Sequence, residues 1–219
     1  MPIKNISLRE QISELLLEKL CGGLLQSGQK LNIAALAREL SVSTTPMREA
    51  LFGLAEKGMI EFIDNKGFCL KVLNYRDAQE LYQLASILEK EALASSDKID
   101  EKTVNQLRKL MNKIKQQAKN NRVTFNTMSS FENLLISHCS NKRLLSMIAE
   151  LRYTLFQYEQ LILKSGIPLD HAFDDHQKII DLMSQQKLIK AAELLGNTWL
   201  NCLPLLKELL GSGANICAD

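Results

Sequence analysis

Ile33-Ala-Ala-Leu-Ala-Arg-Glu-Leu-Ser-Val-Ser-Thr-Thr-Pro-Met-Arg-Glu-Ala-Leu51 reads as two short amphipathic helices joined by a tight turn. Leu36, Ala37 and Leu40 fall on one face of the first helix. Met47, Ala50, Leu51 and Leu54 fall on one face of the second, with Val42 at the corner between them. Ser43 is a natural N-cap, and Pro46 sits in the first turn, where a missing N–H leaves no intrahelical bond unmade. The solvent face of the second helix opens with Thr44, Thr45 and Arg48, small polar groups followed by a guanidinium. A helix that presents its N-terminal end to a DNA major groove needs that pattern. An ordinary packed helix pair has the same apolar stripes, so the flanking sequence has to separate the two readings.

Downstream, Gly58 stops the second helix as a left-handed C-terminal cap. Two apolar segments, Met59–Ile63 and Phe68–Leu73, then flank Asp64-Asn65-Lys66-Gly67. Ile60 and Phe62 alternate with Glu61, and Phe68, Leu70 and Val72 alternate with Cys69 and Lys71, which is hairpin patterning with turn residues at its tip. Upstream, Leu8, Ile12, Leu15, Leu16 and Leu20 form the apolar stripe of a preceding helix that closes a small core. Helix, helix–turn–helix and two-stranded wing make a winged helix. Lys66 and Gly67 stand where the wing meets backbone phosphate or the minor groove.

The chain of 219 residues is long enough for two modest domains, expected at 1–73 and 74–219. No apolar run is long enough to cross a bilayer and no cleavable signal is evident, which implies a soluble, cytoplasmic protein. Cys21, Cys69, Cys139, Cys202 and Cys217 are odd in number, scattered and without a C-x-x-C pair, as expected of structural thiols in a reducing compartment. The net charge is only +2, and residues 1–73 carry nine Lys/Arg against eight Asp/Glu. The acids gather on the first helix at Glu10, Glu14 and Glu18, a face able to point away from DNA. So weak a field predicts modest non-specific affinity and a dimer for tight binding.

After Leu73 almost nothing reads as strand. Helical spacing predicts six helices: Asp77–Ala94, one opened by Asp100 and broken at Asn120-Asn121, Phe125–His138, Lys142–Lys164 capped by Asn141, Leu169–Gln185 and Lys187–Leu210. Ser165-Gly166-Ile167-Pro168 is a connector, and Gly211–Asp219 reads as a frayed tail. The fold class expected is therefore mainly α, a winged helix–turn–helix with a small hairpin followed by a six-helix bundle.

Gly23-Leu-Leu-Gln-Ser-Gly-Gln-Lys-Leu31, Leu36-Ala-Arg-Glu-Leu40, Val42-Ser-Thr-Thr-Pro-Met-Arg-Glu-Ala-Leu51, Gly58-Met-Ile60 and Gly67 resemble the N-terminal domain of GntR-type bacterial transcription regulators, without a gap from about Leu8 to Leu73. The resemblance carries over Arg38 and Arg48 as DNA contacts. Ser27 stands where the family usually has proline, and Thr44 where it commonly has the arginine that reads an operator guanine. The second half resembles, at the level of pattern, the all-helical effector (FCD-type) domain of the FadR subfamily. Leu81-Tyr82, Leu88-Glu89, Phe131, Asn141-Lys-Arg-Leu-Leu145, His176-Gln-Lys-Ile-Ile180 and Ala191 carry that likeness.

In many such relatives a central pocket holds a divalent metal through an aspartate, a histidine four residues on and two later histidines. The matching positions here are Met128, Glu132, His176 and Thr198. Methionine and threonine are poor ligands for such a metal, so no metal or cofactor is expected. The arginine that often anchors a ligand carboxylate is replaced by Ala85, and Arg152 is the remaining inward candidate for pairing an anion. Trp199 reads as core or as pocket wall, and His138 and His171 as surface or packing residues. Such a pocket suits an apolar-tailed or uncharged metabolite better than a small dicarboxylate.

The resemblance implies a ligand-responsive repressor binding a palindromic double-stranded operator as a homodimer. Its DNA contacts would be Arg38, Ser43, Thr44, Thr45, Arg48, Lys66 and Gly67, and its effector pocket would use Met128, Glu132, Arg152, His176 and Thr198. The alternative is a helical metabolite-binding protein or enzyme whose winged helix serves protein contacts. Against an enzyme, the sequence offers no nucleophile–base pair and no phosphate-cradling glycine loop.

Overall fold

The computed structural model describes residues 8–21 and 28–211. The expectations for Ser27, the frayed tail beyond Gly211 and Cys217 lie outside the described residues, as do those for the side chains of Glu10, Glu14, Glu18, Leu20 and Cys21. The described chain divides into two compact units, one ending at Val72 and one beginning at Leu73. None of its helices is long and apolar enough to cross a membrane.

The first unit contains α1 (Leu8–Cys21), α2 (Ile33–Glu39), α3 (Thr44–Glu56), β1 (Ile60–Ile63) and β2 (Gly67–Leu70). α1 packs on α3, with Ile12, Leu16 and Leu17 buried beside Met47, Leu51 and Leu54. Leu8 and Leu15, expected in that stripe, are exposed: the buried face is centred on Leu16, and Leu17 takes the inward place. Asn32 caps α2 by accepting from the Ala35 N–H at 3.0 Å. Ser43 occupies the N-cap position of α3, but its hydroxyl makes no capping bond. Gly58 adopts φ +71°, the left-handed conformation expected after a helix.

The hairpin pairs Ile60 with Leu70 and Ile63 with Gly67, its tip turning through Asn65 (φ +64°) and Gly67 (φ +86°). Strict alternation does not hold on β2, where Phe68, Cys69 and Leu70 are all buried. The cause lies upstream. Residues 28–31 line the other edge of β2, with Leu31 N–H donating to the Phe68 carbonyl (2.8 Å) and Leu70 N–H to the Gln29 carbonyl (3.0 Å). A strand flanked on both edges is covered more completely than the outer strand of a hairpin.

The second unit contains α4 (Tyr75–Ala94), α5 (Glu101–Ala118), α6 (Phe125–Leu135), α7 (Lys142–Lys164), α8 (Asp170–Ser184), α9 (Leu188–Asn201) and α10 (Leu203–Leu210). Side-chain caps at Asn74, Asp100, Thr124 and Asn141 start α4 to α7. The last helix expected is two: Pro204 cannot continue the N–H ladder, so the chain breaks at Cys202 and restarts with proline in the first turn of α10. α4 lies along α9, tightly enough at Gly196 that a Cβ there would stand 3.2 Å from the Ser86 hydroxyl. One apolar core gathers Leu93, Leu107, Phe131, Leu135, Ile180 and Leu195, and a second gathers Ala78, Tyr82, Ala85, Leu155, Tyr158 and Trp199.

Candidate functional site

Two concave features stand out, one in each unit. In the first unit an open groove runs from the start of α2 past α3 to the wing and is lined by Lys30, Asn32, Arg48, Phe62, Asn65, Lys66 and Gly67. Arg48 and Lys66 are exposed, and Phe62 packs edge-on against Phe68 at 5.1 Å between ring centroids. The groove thus unites Arg48, Lys66 and Gly67 and adds Lys30, which the sequence reading did not single out. Lys30 was legible only through its pairing with Cys69 on β2, a long-range bridge without a local signature. Ser43, Thr44, Thr45 and Arg38 are exposed but do not line the groove. Arg38 leans back along its own helix, its Nε 3.4 Å from the Ala34 carbonyl.

In the helical unit a cavity of about 290 Å³ opens where the two apolar cores meet. Its apolar wall includes Met111, Ile114, Phe131, Leu135, Ile162 and Leu195. Met128, Glu132, His176 and Thr198 all line it, as do Glu89, Glu159, Tyr82 and Trp199. His171, expected at the surface or in packing, is exposed and stands at the rim. His138 packs against Thr103, its Nε2 3.0 Å from the hydroxyl.

Arg152, expected to pair an anion in the pocket, stands directly behind the cavity wall, against two of its lining residues. The side chain is 2 % exposed, and its Nη1 stands 2.5 Å from Glu89 Oε1 and 2.8 Å from Glu132 Oε2. The inward direction was legible in the sequence, but not the partners, because Glu89 and Glu132 come from α4 and α6. Glu89 also accepts from Trp199 Nε1–H at 2.9 Å, which makes Trp199 both core and wall. A guanidinium buried without such counter-charges would cost several kcal/mol.

Three glutamates surround this one arginine, so they cannot all ionise cheaply. Burial pushes Glu89 up to about 7, against the opposing pull of Arg152. Glu159 is held well above the ordinary carboxyl value by burial and by Glu132, with which it shares a hydrogen bond. Burial also raises the Tyr82 hydroxyl and the Cys202 thiol, the latter to about 12, and lowers the His176 imidazole. Cys202 is therefore no nucleophile.

The divalent metal implied by the resemblance does not fit these residues. Met128 and Thr198 supply no anionic or imidazole donor, Glu132 is engaged by Arg152, and no group of three His, Cys, Asp or Glu gathers at ligating distance among the described residues. The guanidinium already supplies the buried positive charge.

Comparison with known proteins follows the same division. Residues 8–70 match the model of bacterial regulatory proteins of the gntR family, and residues 80–199 match the FCD domain. The Nta operon transcriptional regulator of Aminobacter aminovorans is 41% identical over 66 residues, which are 30% of this chain and 31% of that protein. The HTH-type transcriptional regulator McbR of Escherichia coli (strain K12) is 27% identical over 150 residues, 68% of each chain. The solved structure of E. coli McbR/YncC shares the fold with a TM-score of 0.80 at 19% identity, covering 94% of this chain and all of that one.

Proposed function

Because the chain belongs to the GntR family of bacterial regulatory proteins, with an FCD domain as its second unit, we propose that it is a ligand-responsive repressor that binds a palindromic operator as a homodimer. The groove of the winged unit carries this reading, since Arg48 of α3 and Lys66 and Gly67 of the wing converge on it from separate elements. In that arrangement Arg48, with Thr44 and Thr45 at the start of the same helix, reads base edges, while Ser43, Arg38 and Lys66 hold phosphates. Gly67 lets the wing backbone approach the duplex closely. A chain with a net charge of only +2 gains little from non-specific attraction, so two subunits are needed for tight binding. The cavity beside Met128, Glu132, His176 and Thr198 receives the effector in the helical unit.

Operator selection from random DNA tests the reading directly. The expected product is an inverted repeat with half-sites about one helical turn apart, bound by a dimer in equilibrium sedimentation. No enriched sequence, or a monomer with full affinity, would overturn it. A reporter behind the selected site should rise when this protein is deleted, and a fall would make it an activator.

A further inference from the structure

We propose that Phe52 is a positioning residue for DNA binding, the α3 end of an aromatic clasp that holds the wing against the helix carrying Arg48. This rests on the reading of the groove as the DNA interface. Three rings from three elements form the clasp. Phe62 of β1 and Phe68 of β2 are a cross-strand pair, their ring centroids 5.1 Å apart. Phe52 of α3 meets Phe68 edge-on at 4.8 Å and Phe62 at 5.6 Å. Phe68 is buried, but Phe52 and Phe62 are 46% and 51% exposed. Single exposed apolar side chains are ordinary, so the mutual contacts of these rings carry the argument and not their exposure. Phe52 and Arg48 stand four residues apart on α3 and so share one face of that helix.

The place of the clasp on the hairpin gives it its consequence. Phe62 and Phe68 are the last pair but one before the tip, and Ile63 and Gly67 the last. The two strands are held unequally at that end. On the other edge of β2 the Leu31 N–H donates to the Phe68 carbonyl, whereas β1 is buried at Ile60 and exposed at Glu61, Phe62 and Ile63. A two-stranded ribbon is only marginally stable by itself in water. Beyond its ladder with β2, the outer half of β1 is tied to α3 by Phe62 against Phe52. Lys66 follows Phe62 by four residues, so the angle set by the rings decides where the tip stands relative to Arg48. A duplex that meets Arg48 then finds Lys66 in place, without the entropic cost of ordering a mobile wing. Phe52 does not itself line the groove, so its effect on DNA passes through the wing.

Fluorescence anisotropy on the full chain tests the clasp, with the operator duplex recovered by selection and the salt concentration varied. Lys66→Ala in the natural chain should weaken binding about fivefold and lower the salt slope by about one. Phe52→Ala should weaken binding to a similar extent, and adding Lys66→Ala to it should cost less than about twofold more. Phe52→Tyr keeps the ring, with room for its hydroxyl in water, and should retain both the affinity and the loss at Lys66. Phe52→Leu keeps the apolar bulk that secures the fold and should show the same coupling at smaller size, so it carries the test if the alanine variant does not fold. A merely destabilised unit would lower the folded fraction and leave the Lys66 loss unchanged. No loss at Lys66 in the natural chain, an undiminished one in the folded alanine or leucine variant, or a tyrosine variant as weak as the alanine one would overturn the inference. So would natural affinity in the alanine variant. In each of these outcomes a natural chain that binds the duplex and is weakened by Arg48→Ala leaves the DNA reading standing. A natural chain that enriches no operator and binds no duplex brings down that reading and the clasp with it.

Discussion

Arg48 and Arg152 are the same side chain put to opposite uses in the two units. Arg48 stands exposed at an open groove, while Arg152 is buried between two glutamates. In water a guanidinium can wait for an external anion at little cost. In a protein interior it must arrive with its counter-charges, because an unpaired buried ion costs several kcal/mol. The winged unit therefore keeps its charge available for a partner, and the helical unit consumes its charge internally. One region offers its charge at the surface and the other balances its charge in the interior.

Arg152→Ala would break this contrast most severely. It leaves Glu89 and Glu132 buried without a cation and should destabilise the protein by about 3–5 kcal/mol in denaturant unfolding. A loss under 1 kcal/mol would mean that water reaches the pair.

On the DNA side, Arg48→Ala should cost about 1–3 kcal/mol and relax specificity at one operator position. Thr44→Arg should introduce a guanine preference of roughly 1–3 kcal/mol at the neighbouring symmetric position, read by selection from random DNA. If the natural protein already demands guanine there as strictly, α3 docks otherwise than inferred.

The buried carboxyls predict an unusual pH dependence. Glu89 titrates near 7 in the folded chain and near 4.5 when unfolded, so its contribution to stability is full below about 4.5 and is lost as pH rises through 7. The slope from this group is at most about 1.4 kcal/mol per pH unit, and Glu159 acts in the same direction. Glu89→Gln should flatten the melting-temperature profile between pH 5 and 7, as followed by circular dichroism; an unchanged profile would assign the titration elsewhere.

The smallest effects belong to the rim of the groove. Lys66→Ala and Lys30→Ala should each weaken all DNA sequences alike and lower the salt slope by about one. A sequence-selective loss at either lysine would move it from phosphate contact to base readout.

Local chemistry made much of the first unit legible. The Gly58 cap, the Asn65–Gly67 tip and the face of α3 with Met47, Ala50, Leu51 and Leu54 buried all follow from neighbours a few residues apart. Where a distant strand intervened, the local rule failed: residues 28–31 cover the second edge of β2, and alternation on that strand disappears. On α1 Ile12 and Leu16 are buried as read, but Leu17 and not Leu15 turns inward, because the three consecutive leucines are equally apolar and only packing against α3 decides between them.

Sequence alone thus determined that this chain has a winged helix–turn–helix followed by helices, because periodicity, caps and turn residues act over a few positions. It also marked Met128 and Thr198 as poor ligands for such a metal, since ligand chemistry belongs to the residue type. Only the tertiary structure decided that Arg152 turns to Glu89 and Glu132, that Trp199 donates to Glu89 and that the Tyr82 hydroxyl is buried without a hydrogen bond. Those contacts join α4, α6, α7 and α9. A buried charge or hydroxyl takes its state from whatever the packed helices bring beside it, and nothing within a few residues of Arg152 specifies that company.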